Sequence, residues 1–470
     1  MSVELNDPKV TRAWAMYDWA NSVFSLSITA TLFPVYFNMV SKSAAIHAGT
    51  YDAAKSVYYI NVFGFNIVNS ALYTLCISVS FLLIAFINPI LSGIADARQN
   101  KKQFMKFFCY LGAISSMLLY FFTPEKFWFG ILFFVLGLFG FGGSIVFYNA
   151  FLPEIATEDQ FDKLSARGFS LGYFGSVLLL LLNLALIKNI EHVFPVAEKA
   201  NEYLNAHLFP DLASAMAEAK KYYSGIGIKI AFVTVGIWWA GFAQITFRRL
   251  PEKTRVIEKT GNVIKNGFKE LKKVWAEINL PQNSVIKRYL VGYFFSAMGV
   301  QTVMYVASMF GEKELKMESG SLILTVLIIQ LIGVLGSWGF AKISARIGNI
   351  FSLLIMNVIW IGITTAAYFV DSQNQFYLLA GVVGSVMGGI QSISRSTYAK
   401  LIPDHTQDTA SYFSLYDFAE KMATVFGTLA FAVINNYTEN MRSSVLALII
   451  FFILALFFIV RIQNFKEKHP

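Results

Sequence analysis

Twelve stretches of roughly 20 apolar residues, parted by polar segments, constrain this chain more than any other feature of its sequence. A stretch of that length, coiled as an α-helix, crosses the roughly 30 Å of hydrocarbon in a bilayer. No water is present there to bind the backbone, so each stretch is expected to satisfy its own amides and carbonyls as a helix. The runs lie near 12 to 38, 71 to 95, 104 to 123, 127 to 150, 168 to 188 and 225 to 247. A second set follows near 288 to 310, 320 to 341, 350 to 370, 376 to 398, 411 to 434 and 443 to 462. They are numbered spans 1 to 12. With 56% hydrophobic and 14% charged residues in 470, the composition calls for lipid as a solvent. The expected fold class is an all-α integral membrane protein.

A net charge of +9 raises the question of nucleic acid, but the basic residues sit between the apolar runs and the 45 Phe are spread within them. No base-stacking groove follows from that pattern, so the charge is read as topology. An even number of spans puts both termini on one side. That side carries most of the Lys and Arg, which by the positive-inside rule makes it cytoplasmic. Cys76 and Cys109 both fall inside spans, so neither a disulfide framework nor a CxxC metal site is expected. The histidines show no metal-ligand spacing, and Gly140, Gly142 and Gly143 lack the strand and the Lys-Ser or Lys-Thr of a phosphate loop. No cofactor, no metal and no enzyme activity are expected, since no activated Ser, Cys or His-acid pair stands out. A cleavable signal peptide fits badly with a first run that opens at Trp14 and contains Asp18. Without organelle-sorting features, the expected location is a bacterial inner membrane, and the expected state a monomer.

The organisation reads as a six-span half over 1–247, a basic cytoplasmic linker over 248–287 and a second half over 288–470. A phrase recurs between the halves. Tyr148 precedes Phe151, Leu152, Pro153 and Glu154, then Phe169, Ser170, Leu171 and Phe174. Tyr398 precedes Leu401, Ile402, Pro403 and Asp404, then Phe413, Ser414, Leu415 and Phe418. Such a recurrence is expected of two parallel six-span repeats. In the linker, Ile264, Phe268, Leu271, Trp275 and Ile278 recur at helical spacing, with Lys265, Lys269, Lys272 and Lys273 on other faces. The pattern predicts an amphipathic helix at the inner leaflet, with lipid as a partner. Glycines at 137 and 140, at 333, 336 and 339, and at 381, 384 and 388 have the spacing of closely packed helices. The outer segments 39–70 and 189–224 exceed what a connecting hairpin needs, and residues 213–221 are expected to be helical.

Span 1 opens with Trp14, Ala15, Tyr17, Asp18, Trp19, Ala20, Asn21 and Ser22, the phrase WAxYDWANS. With Pro34 and Tyr36, with Ser394, Arg395 and Ser396 before Leu401 to Pro403, and with Phe413, Leu415 and Tyr416, the chain resembles the vacuole-effluxer branch of the major facilitator superfamily. The resemblance implies a transporter of two pseudo-symmetric six-helix halves. Its fungal members imply amino acids as cargo, exported from the vacuole. The superfamily's inner-loop signature is only half present at Ser92, Asp96, Gln99, Lys101 and Lys102. In the second half, Arg346 and Gly348 follow Ala345 where an acid would stand, which weakens the case that these loops gate as in better-known relatives.

Charged groups inside a span cost at least about 2.5 to 3.5 kcal/mol near its centre, so those present are expected to face a cavity or a partner. In span 1, Asp18, Asn21, Ser22, Ser25 and Thr29 fall on one helical face. Asp18 is expected either to carry a proton or bind a substrate amine, or to form a fixed pair with Arg167 or Arg395. Span 11 holds Asp417, Glu420 and Lys421, with Lys421 about 15 Å into the membrane. A transport role is expected for Glu420 and Lys421; the alternative is that Asp417 and Lys421, at i, i+4 spacing, neutralise each other and leave Glu420 as the acid needing a role. Tyr148, Asn149, Tyr173, Asn183, Gln301, Tyr305 and Gln391 are the neutral candidates, each able to bind a zwitterion or to join neighbouring helices. Asp96, Arg167, Arg346 and Arg395 are expected at an inner gate. The reading is alternating access carrying a small polar solute, with optional proton coupling through Asp18 or Glu420. A lipid flippase and an exporter of another metabolite are the alternatives.

Overall fold

A computed structural model describes residues 4–52, 57–62, 64–252, 263–403, 406–438 and 440–466. Eleven of its helices are long and apolar enough to cross a membrane. The remaining crossing helix, span 11, runs Thr409–Thr438, as long as its neighbours but loaded with Asp417, Glu420 and Lys421. Spans 2 to 6 are Asn69–Arg98, Lys101–Leu118, Phe127–Ala150, Phe161–Lys188 and Leu212–Arg249. Spans 7 to 10 are Ser284–Leu315, Ser319–Ile347, Asn349–Tyr368 and Gln373–Leu401. Span 12 is broken into Met441–Ala447 and Ile449–Lys466.

Span 1 departs from the even helix that its sequence predicts. An α-helical Pro8–Val23 passes into a π-helical stretch Phe24–Leu32, then resumes as Phe33–His47. The Thr31 hydroxyl donates to the carbonyl of Leu26, five residues back. The extra residue per turn rotates the lower part of the polar face, so its α-helical period ends near Ser22. Segments of π-helix concentrate at functional sites.

Helix contacts define the halves. Span 1 packs on spans 5 and 6, and span 3 on spans 4 and 6; span 7 packs on spans 11 and 12, and span 9 on spans 10 and 12. Between the halves, span 2 packs on span 11 and span 5 on spans 8 and 10. Small residues make the closest crossings. A Cβ at Gly336 would lie 2.0 Å from the Ser385 carbonyl oxygen, and one at Gly388 2.2 Å from that of Gly333, so spans 8 and 10 touch backbone to backbone. Gly140 meets Gly112 in the same way. Gly339 and Gly381, which share the spacing, face open space and take no part in the crossing.

The outer segments are more structured than a solvated loop. After His47 the chain forms a small antiparallel sheet of Tyr51–Asp52, Val57–Val62 and Phe65–Val68, a β element in a chain expected to be all-α. Residues 213–221 are helical as expected, but they continue span 6, which at 38 residues is about 57 Å long. Its outer end packs Ala215 and Ala219 on Ile190, Val196 and Ala200 of the preceding short helices.

The glycine contacts yield a test. Gly336→Val should lower the thermal midpoint of the detergent-solubilised protein, the overpacking costing about 1–3 kcal/mol. Gly339→Val, which meets nothing, should leave the midpoint unchanged.

Candidate functional site

Two polar clusters interrupt the apolar bundle, and both join its halves. The first lies on the side of the chain termini. Asp18 is carried on span 1, four residues after Trp14, so the two side chains share a face. Arg395 comes from span 10 and places its Nη1 3.1 Å from Asp18 Oδ2. The Tyr148 hydroxyl of span 4 donates to the same oxygen at 2.8 Å. Arg395 also donates from Nε to Ser165 Oγ, from Nη2 to the Ser165 carbonyl and from Nη1 to Asn149 Oδ1, at 2.9, 2.8 and 3.3 Å. Its guanidinium lies over Phe169 and Trp14, 4.2 and 4.9 Å from the ring centroids. Both charges are almost fully buried. Gly168 permits the approach, since a Cβ there would stand 2.3 Å from Asp18 Oδ2.

Asp18 thus pairs with Arg395, and Arg167, the other expected partner, is exposed. Along the rest of the span 1 face, Asn21 is buried with its Nδ2 unpartnered in the protein, Ser22 is half-buried against Gly172, and Ser25 is exposed. Thr29 Oγ1 is likewise buried without a protein partner.

Two further knots tie the same end. Asp96, at the foot of span 2, accepts from the backbone amides of Ala410 and Ser411 at 3.2 and 2.7 Å. A carboxylate at these first-turn amides satisfies orphan donors of span 11 and opposes its helix dipole. Lys101 joins this knot by bonding Glu154 and Thr409. Gln99, where the superfamily signature has glycine, adopts the left-handed φ of 55° that glycine would take more easily, and ties its Nε2 to the Asp96 carbonyl at 2.8 Å. In the second half the acid missing at Ala345 is supplied by Asp162 of span 5, which meets Lys400 at 2.8 Å, Asn349 at 2.7 Å and Ser344 at 3.2 Å. The incomplete signature therefore does not leave these loops without contacts between halves. Arg346 is exposed and stands outside this knot.

The second cluster lies deeper, on span 11. Lys421 Nζ is 3.3 Å from Asp417 Oδ1 and 3.5 Å from Glu420 Oε1. Asn88 of span 2 donates to Asp417 at 3.1 Å, across the halves. Glu420 receives the Tyr293 hydroxyl at 2.9 Å and the Gln301 amide at 3.3 Å, both from span 7. The Glu420 side chain keeps 27% exposure, against 5% for Asp417 and 8% for Lys421. Lys421 thus stands between Asp417 and Glu420, and Glu420 is the acid that remains accessible. Tyr293 stacks on Tyr416 at 4.2 Å and Tyr416 on Tyr398 at 5.1 Å, an aromatic column from this cluster toward the Arg395 end.

Of the neutral candidates, Tyr148 and Asn149 join the first cluster and Gln301 the second. Tyr173 donates to Gln391, joining spans 5 and 10, while Asn183 accepts from Thr234 within the first half. Sequence reasoning missed Ser165, Tyr293, Asn88 and Asp162. Only Asp162 carried a signal, as an acid opening a span opposite a basic one closing another.

Removing one partner of the buried pair strands the other. Asp18→Asn should cost about 3–5 kcal/mol, read as a lower thermal midpoint, and Asp18→Asn combined with Arg395→Gln should recover much of it.

The family described as "Vacuole effluxer Atg22 like" matches residues 6–469. The uncharacterized MFS-type transporter YxiO of Bacillus subtilis is 30% identical over 448 residues, covering 95% of this chain and 93% of that protein. Autophagy-related protein 22 of Cryptococcus neoformans is 24% identical over 535 residues, covering 94% of this chain and 92% of that one. Among solved structures, the fucose:proton symporter of E. coli matches with a TM-score of 0.65 at 13% identity, over 97% of this chain and 98% of that one. The helical architecture described above is the major facilitator fold.

Proposed function

The chain belongs to the vacuole-effluxer family of major facilitator transporters, and from that premise we propose that it carries amino acids by proton-coupled alternating access. Glu420 carries the reading. It is a partly exposed carboxylate deep in span 11, held by Tyr293 and Gln301 and set beside the ammonium of Lys421. A zwitterion needs opposite charges a few ångströms apart, with hydrogen-bonding groups between them. Glu420 serves the amine, Lys421 the carboxylate, and Gln301 either end. Asn21 and Thr29 on span 1, with buried polar atoms lacking a protein partner, are the first-half groups proposed to meet the solute. Protonation of Glu420 releases the amine and supplies the coupling step.

Asp18 and Arg395, with the Asp96 and Asp162 knots, form the gate on the side of the termini. The excess of basic residues on that side supports a cytoplasmic location for it, and the Bacillus subtilis relative supports a bacterial inner membrane. The arrangement described here then has its cytoplasmic gate shut. The unit of transport is the monomer, the partners are solute, proton and lipid, and no nucleic acid is involved.

Proteoliposomes with an imposed pH gradient test this reading with a panel of labelled amino acids. Native protein should accumulate at least one of them, and Glu420→Gln, which mimics the protonated acid that has released the amine, should lose both gradient-driven uptake and exchange of the same solute. Folded protein that moves none of the panel overturns the cargo; uptake unchanged in Glu420→Gln overturns the coupling site.

A further inference from the structure

The linker helix Val263–Ile278 touches both halves. Its inner face bears Gly267, Val274 and Ile278, all buried. It crosses span 2 so closely that a Cβ at Gly93 would lie 2.3 Å from the Gly267 carbonyl oxygen, and one at Gly267 2.6 Å from Ile94. One flank is tied to the foot of span 11. Lys273 Nζ lies 2.6 Å from Asp408 Oδ2, and the Tyr412 hydroxyl donates to Glu277 at 3.0 Å. The hydrogen bond to Asp408 holds the Lys273 ammonium above its ordinary range, so the link stays charged at neutral pH.

The opposite flank is uncovered. Phe268 and Trp275 are 50% and 59% exposed, although the spacing of Phe268, Leu271, Trp275 and Ile278 predicted one common apolar face. At 100° per residue the basic Lys269 and Lys272, both exposed, follow these aromatics around the helix. The surroundings identify what lies against this flank. Leu75, Val79, Leu83 and Phe86 form an exposed apolar stripe down span 2, and the linker helix sits where that stripe ends, over Ile94. The stripe is the lipid-facing side of a membrane span, so the helix rests at the level of the headgroups. Aromatic rings beside lysines at that depth fit an anionic phospholipid surface, each lysine contributing about 1 kcal/mol.

We propose that the uncovered flank of the linker helix docks on anionic lipid headgroups, and that this docking fastens the gate by holding span 2 against the foot of span 11. The latch rests on the alternating-access reading above. Lipid that draws Phe268, Trp275, Lys269 and Lys272 to the membrane seats the helix on Gly93. That keeps Lys273 under Asp408 and Glu277 under Tyr412, bridging the two halves through one element. Loss of the anionic surface leaves the bridge to the packing of the inner face and to the links of Lys273 and Glu277.

The test uses full-length protein with Cys76 and Cys109 replaced by Ala, in vesicles of phosphatidylcholine alone or mixed with phosphatidylglycerol. A spin label at Ala276→Cys reports the depth of the helix, and labels at Arg98→Cys and Gln407→Cys report the gate distance. Phosphatidylglycerol should deepen the first label and raise the short-distance population several-fold. Lys269→Gln with Lys272→Gln should abolish both responses, and Trp275→Ser, which leaves the charges in place, should weaken them. A label depth or a gate population indifferent to lipid charge, in protein that shows two gate distances, overturns the latch. A single gate distance under every condition, Asp18→Asn included, overturns alternating access itself.

Discussion

One buried ion pair, Asp18 with Arg395, ties the two halves together at the end of the chain termini. Asp18 and Arg395 stand in a setting of Trp14, Tyr148 and Phe169, where an unpaired charge would cost several kcal/mol. The carboxylate has one phenolic donor besides the guanidinium, and the guanidinium has Ser165 and Asn149 to take its remaining donors. Four helices, spans 1, 4, 5 and 10, are therefore fixed in register by a single charge pair. Apolar packing between helices in lipid is weakly directional, so a satisfied polar network of this kind sets which arrangement of the halves is held.

The other knots repeat that logic with different chemistry. Asp96 uses the free amides of a helix start, a set of donors that any helix presents. Asp162 uses a lysine, an amide and a hydroxyl at the inner ends of spans 10, 9 and 8. The first half supplies the acid in both knots, from the foot of span 2 in one and from the start of span 5 in the other. Separating the halves at this end requires all three acids to give up their partners together, which makes the element two-state in character.

Much of this was legible in the amino-acid order. The WAxYDWANS phrase marks Asp18, the i, i+4 spacing marks the Asp417 and Lys421 pair, and the exclusion of Glu420 from that pair marks the accessible acid. Other parts were not. Nothing local distinguishes Arg395 from Arg167 as the partner of Asp18, because the choice depends on how span 10 is rotated against span 5. Tyr293 and Asn88 are single polar residues in apolar runs, and such residues more often join helices than line a site. Gly339 and Gly381 obey the packing spacing yet face open space, since spacing defines a helical face without naming its neighbour.

By itself the sequence determined the number of spans, because the thickness of hydrocarbon and the rise of a helix leave one solution for runs of this length. It also determined the two-half plan, through the recurrence of Tyr148 to Phe174 in Tyr398 to Phe418. The tertiary structure alone decided the π-helical stretch in span 1, the small outer sheet, the supply of the acids in both inner knots by the first half and the uncovered flank of the linker helix. The inner knots and the seat of the linker helix rest on contacts between residues far apart in the chain, and the rotation of one helix against another is set by the sum of such contacts rather than by any local pattern.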